Sequence, residues 1–182
     1  MRTELINYQD NWTAARNAAL NTVGKDTSKY YPSPEWKKRI IRAEHSPIRV
    51  LTFTIRLTDV PYWVSVHLTR HKIGVEHFVS TQRTDRTGID RDNLPQDAPV
   101  SHTLVINAQA LINISRKRLC YQASQETRET WMDILAVLIN VEPEIVDACV
   151  PECVYRGFCP ELHPCGFADT EEFQEILERY RS

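Results

Sequence analysis

The run Val50-Leu-Thr-Phe-Thr-Ile-Arg-Leu57 constrains this chain more than any other stretch. Leu51, Phe53, Ile55 and Leu57 alternate with Thr52, Thr54 and Arg56, and a period of two puts the first set on one side of an extended segment. The pattern predicts a strand with one buried face. Helical patterns lie on either side of it. Residues 9–24 carry Trp12, Ala15, Ala19 and Val23 along one side, with Asp10 or Asn11 as cap and Gly24 as stop. Ser33-Pro-Glu-Trp36 starts a second helix, with Ser as N-cap, Pro in the first turn and Trp36, Ile40 and Ile41 turned inward as far as about Glu44. After the strand, Thr58-Asp-Val-Pro61 predicts a turn, and Trp63, Val64, Val66 and Leu68 a short helix from Pro61 to His71.

That helix delivers the basic run Leu68 to Arg83. Arg70 and Arg83 can grip phosphate with paired N–H donors, Lys72 adds a point charge, His71 and His77 can donate or accept, and Ser80 and Thr81 offer hydroxyls. A solvated charged surface is the plainer reading of such a run. Cations suit a helix C-terminus whereas a phosphate prefers an N-terminus, so any anion here must be held by side chains. Residues 84–101 are polar with no apolar period, and predict a long loop in which Arg86 and Arg91 stand out. His102 to Ile106 reads as a short strand or extended lead-in. Asn107 is a good N-cap for a helix carrying Leu111, Ile112, Ile114 and Leu119 to about Tyr121. Further helices follow over 124–139, 142–148 and 170–180.

The 182 residues, 42% hydrophobic and 25% charged, suffice for one sizeable core, and no linker divides them. A net charge of −2 excludes a general nucleic-acid or anionic-membrane binder, so an anion site must be local. No apolar run reaches the roughly 20 residues that cross a bilayer, and Met-Arg-Thr-Glu-Leu lacks the layout of a signal peptide. A cytoplasmic location is expected. Reducing conditions then make structural disulfides unsuited to the five cysteines.

In this order the motifs resemble those of the flavin-dependent thymidylate synthases. Arg70-His71-Lys72 followed by Ser80-Thr-Gln-Arg83 is similar to that family's Arg-His-Arg motif and Ser-and-Arg segment. Glu44-His45, Leu51-Thr-Phe-Thr54, Ala14 to Ala18 and Arg91-Asp-Asn-Leu-Pro95 resemble other family elements, as does the block 107–128 with Asn107, Asn113, Arg118 and Glu126. The likeness spans roughly residues 10 to 140. It implies an α+β fold, with a small antiparallel sheet packed with several helices in a single domain. The core would cover residues 1–148, with a Cys-rich segment and C-terminal helix at 149–182 in the same domain.

The resemblance also implies an enzyme. It would bind FAD at subunit interfaces of a homotetramer, take hydride from NADPH and methylate dUMP to dTMP with methylenetetrahydrofolate. Flavin contacts would be Thr54, Arg70, His71, Lys72, Ile73, Asn107 and Asn113. The pyrimidine nucleotide would be held by His67, Arg70, Ser80, Thr81, Arg83, Arg91 and Arg118, and the catalytic candidates are Arg70, His71, Ser80 and Arg118. The plainer readings are Asn107 and Asn113 as helix caps or decoration, an Arg118–Glu126 surface ion pair, and Thr54 as an ordinary strand residue. The departures are Lys72 for Arg, His67 for Gln, Gln109 for Arg, Val75 for Ser, and one extra residue before Arg83, which leaves Ser80 and Thr81 as alternatives. They open a second possibility, one-carbon modification of another pyrimidine nucleotide, and a third, a non-catalytic nucleotide-binding protein stapled by zinc.

Cys149-x3-Cys153-x5-Cys159-x3-His163-x-Cys165 lies beyond the matched region, among Pro and Gly turns. Four thiolates suit structural zinc, with an iron–sulfur cluster second; the alternative is buried or free thiols in a loop-rich tail.

Overall fold

The computed structural model describes residues 1–182. Four strands, β1 (Arg2–Gln9), β2 (Thr52–Pro61), β3 (Val75–Val79) and β4 (Pro99–Asn107), form one antiparallel sheet in the order β1-β2-β4-β3. Nine helices complete an α+β domain: α1 (Trp12–Thr22), α2 (Pro34–Arg42), α3 (Tyr62–Thr69), α4 (Thr84–Thr87), α5 (Ala108–Arg118), α6 (Gln125–Leu138), α7 (Pro143–Asp147), α8 (Glu152–Arg156) and α9 (Glu171–Arg181).

The alternation in β2 decides which face of the sheet is covered. Phe53, Ile55 and Leu57 pair with Ile106, Leu104 and His102 of β4, and all six are buried. Val75 and His77 of β3 lie opposite Ile106 and Leu104 and extend the same face. The helices bury this face, with Trp131 of α6 and Leu111 and Ile112 of α5 among the largest sealed side chains. Thr52, Thr54 and Arg56 point to the other face, where Phe78 of β3 is 61% exposed. No helix of the chain is long and apolar enough to cross a membrane.

Local signals set three of the nine helix starts. The hydroxyl of Ser33 accepts from Trp36 N–H, Asn107 from Ala110 N–H and Thr170 from Phe173 N–H, each satisfying one of the free donors of a first turn. Three expectations need correction. The turn expected at Thr58–Pro61 is the second half of β2; the register slips between Leu57 and Val60, and Asp59 takes φ 59° in this bulge, so the strand bends without ending. Strand β1, expected neither as strand nor as helix, is recruited at the sheet edge, where Tyr8 stacks on Phe53 with ring centroids 5.4 Å apart. Strand β3 lies inside the basic run, and the long loop after it contains α4, a 3₁₀ turn at Arg91–Asn93 and the first residues of β4.

The N-terminal elements are tied down by a buried carboxylate. Glu142 is 1% exposed, and its Oε1 accepts from the Trp12 indole at 2.7 Å and from the Tyr8 hydroxyl. Burial raises its pKa.

Candidate functional site

Helix α3 ends at the basic run. Arg70 caps its C-terminus and is exposed, so the cations sit at the end the helix dipole favours and offer side chains rather than backbone N–H to a ligand. Four predicted residues converge here. The half-buried Arg118, at the last turn of α5, donates from Nε to His71 Nε2 at 2.8 Å and from Nη2 to the His67 carbonyl at 2.7 Å. Burial lowers the pKa values of both His67 and Arg118, and Arg70 is near enough to add to both shifts. Arg118 is therefore first a brace, and the surface pair with Glu126 does not form. A guanidinium has five donors, so Arg118 keeps Nη1 and part of Nη2 for a ligand.

The donors fix the tautomers. His71 accepts at Nε2, so its ring is neutral with the proton on Nδ1, and burial, Arg118 and His77 together push its pKa down to about 4. A carbonyl can only accept, so His77 Nε2 donates to the His71 backbone oxygen at 2.7 Å. With its proton on Nε2, His77 accepts at Nδ1 from His102 Nε2 at 2.9 Å. His102 Nδ1 is left buried with no partner. This chain of imidazoles links the sheet core to the Arg70-His71-Lys72 turn. The sequence alone did not mark His102 as part of it, because His77 and His102 meet only once β3 and β4 pair. Gly74 completes the turn. It has φ 75°, and a Cβ there would lie 2.6 Å from Asn107 Nδ2, so only glycine lets the turn approach the start of α5.

A pH dependence follows from His102. Its pKa falls to about 4, through burial first and His77 second, while the unfolded value is near 6.5. The folded state thus binds fewer protons, and stability should decline as pH drops from about 6.5 to about 4 and then level. For the fully buried His102 the expected loss is about 3 kcal/mol. Thermal melts across this range should show the decline, and His102→Gln, which cannot titrate, should remove the His102 share of it and leave the part due to His71. A wild-type profile matching that of His102→Gln would refute the assignment.

The remaining predicted residues form a second group. Ser80, Thr81, Arg83 and Arg91, with Tyr62, Val79, Gln82 and Asp92, line a groove of about 440 Å³. Ser80 is clasped to β4, donating its N–H to Ser101 O at 2.8 Å and accepting from Ser101 N–H at 3.0 Å. Thr81 Oγ1 accepts from the backbone N–H of Arg83. The Arg83 fork lies on Asp85 with contacts of 2.9 and 2.8 Å, and Arg91 lies 3.7 Å from Asp92. Such exposed pairs are worth about 0–1 kcal/mol, so a dianion can displace them. The two groups stand at opposite ends of β3, five residues or roughly 16 Å apart. One chain therefore does not gather all its anion-holding residues in one place.

The flavin candidates are also divided. Lys72 and Ile73 are exposed on the turn, Ile73 at 91%, and Thr54 lies on the open sheet face. Asn107 caps α5 through Oδ1, as its sequence position suggests. Asn113 is exposed and accepts from Gln109 Nε2 at 3.3 Å. Gln109 is buried; its Nε2 also donates to Glu44 Oε2 at 3.4 Å, and its Oε1 has no partner. The cysteine expectation is corrected. No three His, Cys, Asp or Glu side chains stand close enough to hold a metal ion. Cys149 is sealed in the main core with its thiol donating to Ile145 O at 3.3 Å, whereas Cys153 belongs to a separate small cluster and Cys165 is exposed.

This arrangement of sheet, helices and basic turn has solved counterparts. Flavin-dependent thymidylate synthase ThyX from Helicobacter pylori, complexed with FAD and dUMP, superposes with TM-score 0.67 at 13% identity over 82% of this chain and 100% of its own. The chain has the thymidylate synthase ThyX fold. A second structure of the H. pylori enzyme with FAD and dUMP gives TM-score 0.68 at 13% identity, covering 82% of this chain and 99% of that one. The UMP/dUMP methylase PolB from Streptomyces cacaoi, bound with 5-Br dUMP, gives 0.65 at 15% identity, covering 86% and 95%. No family model matches the sequence, and no curated protein matches it.

Proposed function

We propose that this chain is a flavoenzyme of pyrimidine deoxynucleotide metabolism that reductively methylates dUMP to dTMP, with methylenetetrahydrofolate as carbon donor and NADPH as reductant. The observation that carries the reading is the convergence of Arg70, His67, His71 and Arg118 at the end of α3, in the ThyX fold. The residues present suit FAD in kind. Arg70 and Lys72 supply exposed positive charge, Ile73 an exposed apolar contact, Asn107 keeps its Nδ2, and His71 keeps an Nδ1–H to donate. Flavin, when bound, supplies the hydride chemistry. The protein's part is to fix His71 as a neutral donor and to hold positive charge, from Arg70 and the spare donors of Arg118, where anionic character develops.

The separation of the two residue groups supports assembly into a homotetramer. A second copy placing its Ser80-to-Arg91 groove against the Arg70-to-His71 turn would complete a site that one chain leaves in halves. The open sheet face with Phe78 offers apolar surface for such a contact. A second reading, another pyrimidine nucleotide as substrate, is favoured by Lys72, which keeps the charge but lacks the planar fork.

The purified protein should be yellow, and NADPH should bleach its flavin absorbance. With methylenetetrahydrofolate present, dUMP should change the rate of reoxidation. A response to UMP but not dUMP would select the second reading. Colourless protein that takes up no added FAD would refute both.

A further inference from the structure

His71 is held at every polar atom but one. Its backbone N–H donates to the Leu68 carbonyl at 3.1 Å, its own carbonyl accepts from His77 Nε2 at 2.7 Å, and its ring Nε2 accepts from Arg118 Nε at 2.8 Å. Only Nδ1 has no partner in the chain, and it is not sealed from solvent. Lys72 and Ile73, next along the turn, are exposed. The backbone is tied down again at Gly74, whose carbonyl accepts from the Asn107 N–H at 2.9 Å. Between those two ties, the contact from His77 is what fixes the peptide that joins His71 to Lys72.

His77 is out of keeping with its neighbours. It lies on the covered face of β3 between Val75 and Val79, opposite Leu104, and β4 places a second imidazole, the fully buried His102, opposite Val79. An aliphatic side chain suits such a position, whereas a polar ring costs free energy there unless it is hydrogen-bonded. Both ring nitrogens of His77 are spoken for, Nε2 by the His71 carbonyl and Nδ1 by His102, so it has no donor or acceptor left for a ligand. Its use is therefore the contact it makes on the turn. We propose that His77 is a positioning residue: its Nε2–H, kept on that nitrogen by the His102 Nε2–H at Nδ1, fixes the His71 carbonyl and so the direction of the free His71 Nδ1–H. The sheet supplies the rigidity, because both imidazoles are carried on paired strands and His102 is sealed in the core. The reaction that this donor serves rests on the flavin reading above; the positioning itself rests on the geometry.

The test compares the full chain with His77→Leu, which loses the donor, and His77→Gln, whose amide can still donate to the same carbonyl. In the flavin-loaded proteins His77→Leu should lower kcat for dUMP methylation roughly tenfold to 100-fold, the scale of displacing a reacting group by about 1 Å, while KM for dUMP stays within about threefold. His77→Gln should regain most of the lost kcat, and thermal melts show that each variant is folded. Nitrogen NMR of the histidine rings reads the same device with neither flavin nor nucleotide present. The unmutated chain should show His77 and His102 protonated at Nε2 and His71 at Nδ1, and His77→Leu should convert the His71 signals to a mixture of its two tautomers. Protonation of His77 at Nδ1, His71 signals unchanged in folded His77→Leu, or equal kcat in the leucine and glutamine variants would each overturn the proposal. A chain that takes up no flavin yet shows the stated ring protons and the His77→Leu change would remove the flavin reading and keep the positioning by His77.

Discussion

Arg118→Ala is expected to weaken dUMP binding by about 1.5–3 kcal/mol, the range for a hydrogen bond to a charged group, or roughly tenfold to 150-fold in Kd. Two effects combine. The spare guanidinium donors are lost from the ligand, and His71 loses the partner at Nε2 that fixes its tautomer and ring orientation. Without that donor the His71 proton is free to move to Nε2, so Nδ1–H is no longer presented. The fold should survive, because Arg118 lies at the last turn of α5 and the groups it leaves, the His67 carbonyl and the His71 ring, are only half-buried and can be reached by water. Arg118→Lys keeps a charge but loses the planar fork, and should fall between wild type and alanine. Calorimetric titration of dUMP into the flavin-loaded protein measures the effect, with a thermal melt as the folding control. An affinity within twofold of wild type in a folded Arg118→Ala would remove Arg118 from the site.

Trp131→Ala should lower folding stability by about 3–5 kcal/mol, the range for deleting a large buried aromatic side chain. Trp131 is 1% exposed in the main core, where α6 packs against the sheet and α5. Its indole N–H donates to Ser115 Oγ at 2.8 Å, and that hydroxyl donates in turn to the Leu111 carbonyl at 2.8 Å. The alanine variant would leave both a cavity and a buried hydroxyl short of one partner. For a chain of this length the midpoint should fall by roughly 6–20 °C. Trp131→Phe fills most of the space but cannot donate, so its loss should be nearer the 0.5–1.5 kcal/mol of one hydrogen bond. Urea unfolding of the three proteins separates the terms; equal losses for alanine and phenylalanine would show that the hydrogen bond, not the packing, dominates.

Elements with a local cause were legible in advance. Ser33 and Asn107 each cap the helix they were expected to cap, since the capping bond spans only three residues. The buried side of β2 follows from its own alternation. The misread elements depend on partners elsewhere. Thr58 to Pro61 contains turn-forming residues, but its backbone pairs with Val100 and Pro99 of β4, and the pairing carries the strand through the bulge. Val75 to Val79 is too short and too polar to declare itself, and becomes a strand because β4 offers it an edge. For the site, the sequence placed the cations but not their partners.

What the sequence alone determined is therefore the set of capped helices, the one-sided central strand and the charge carried on Leu68 to Arg83. Tertiary structure alone decided that Arg118 braces His71, that His77 and His102 join the turn to the core, and that the basic residues divide between the two ends of β3. The Arg118–His71 and His77–His102 contacts join residues 25 or more apart in sequence, and a side chain's donors are assigned only when the chain has folded back to bring an acceptor within about 3 Å.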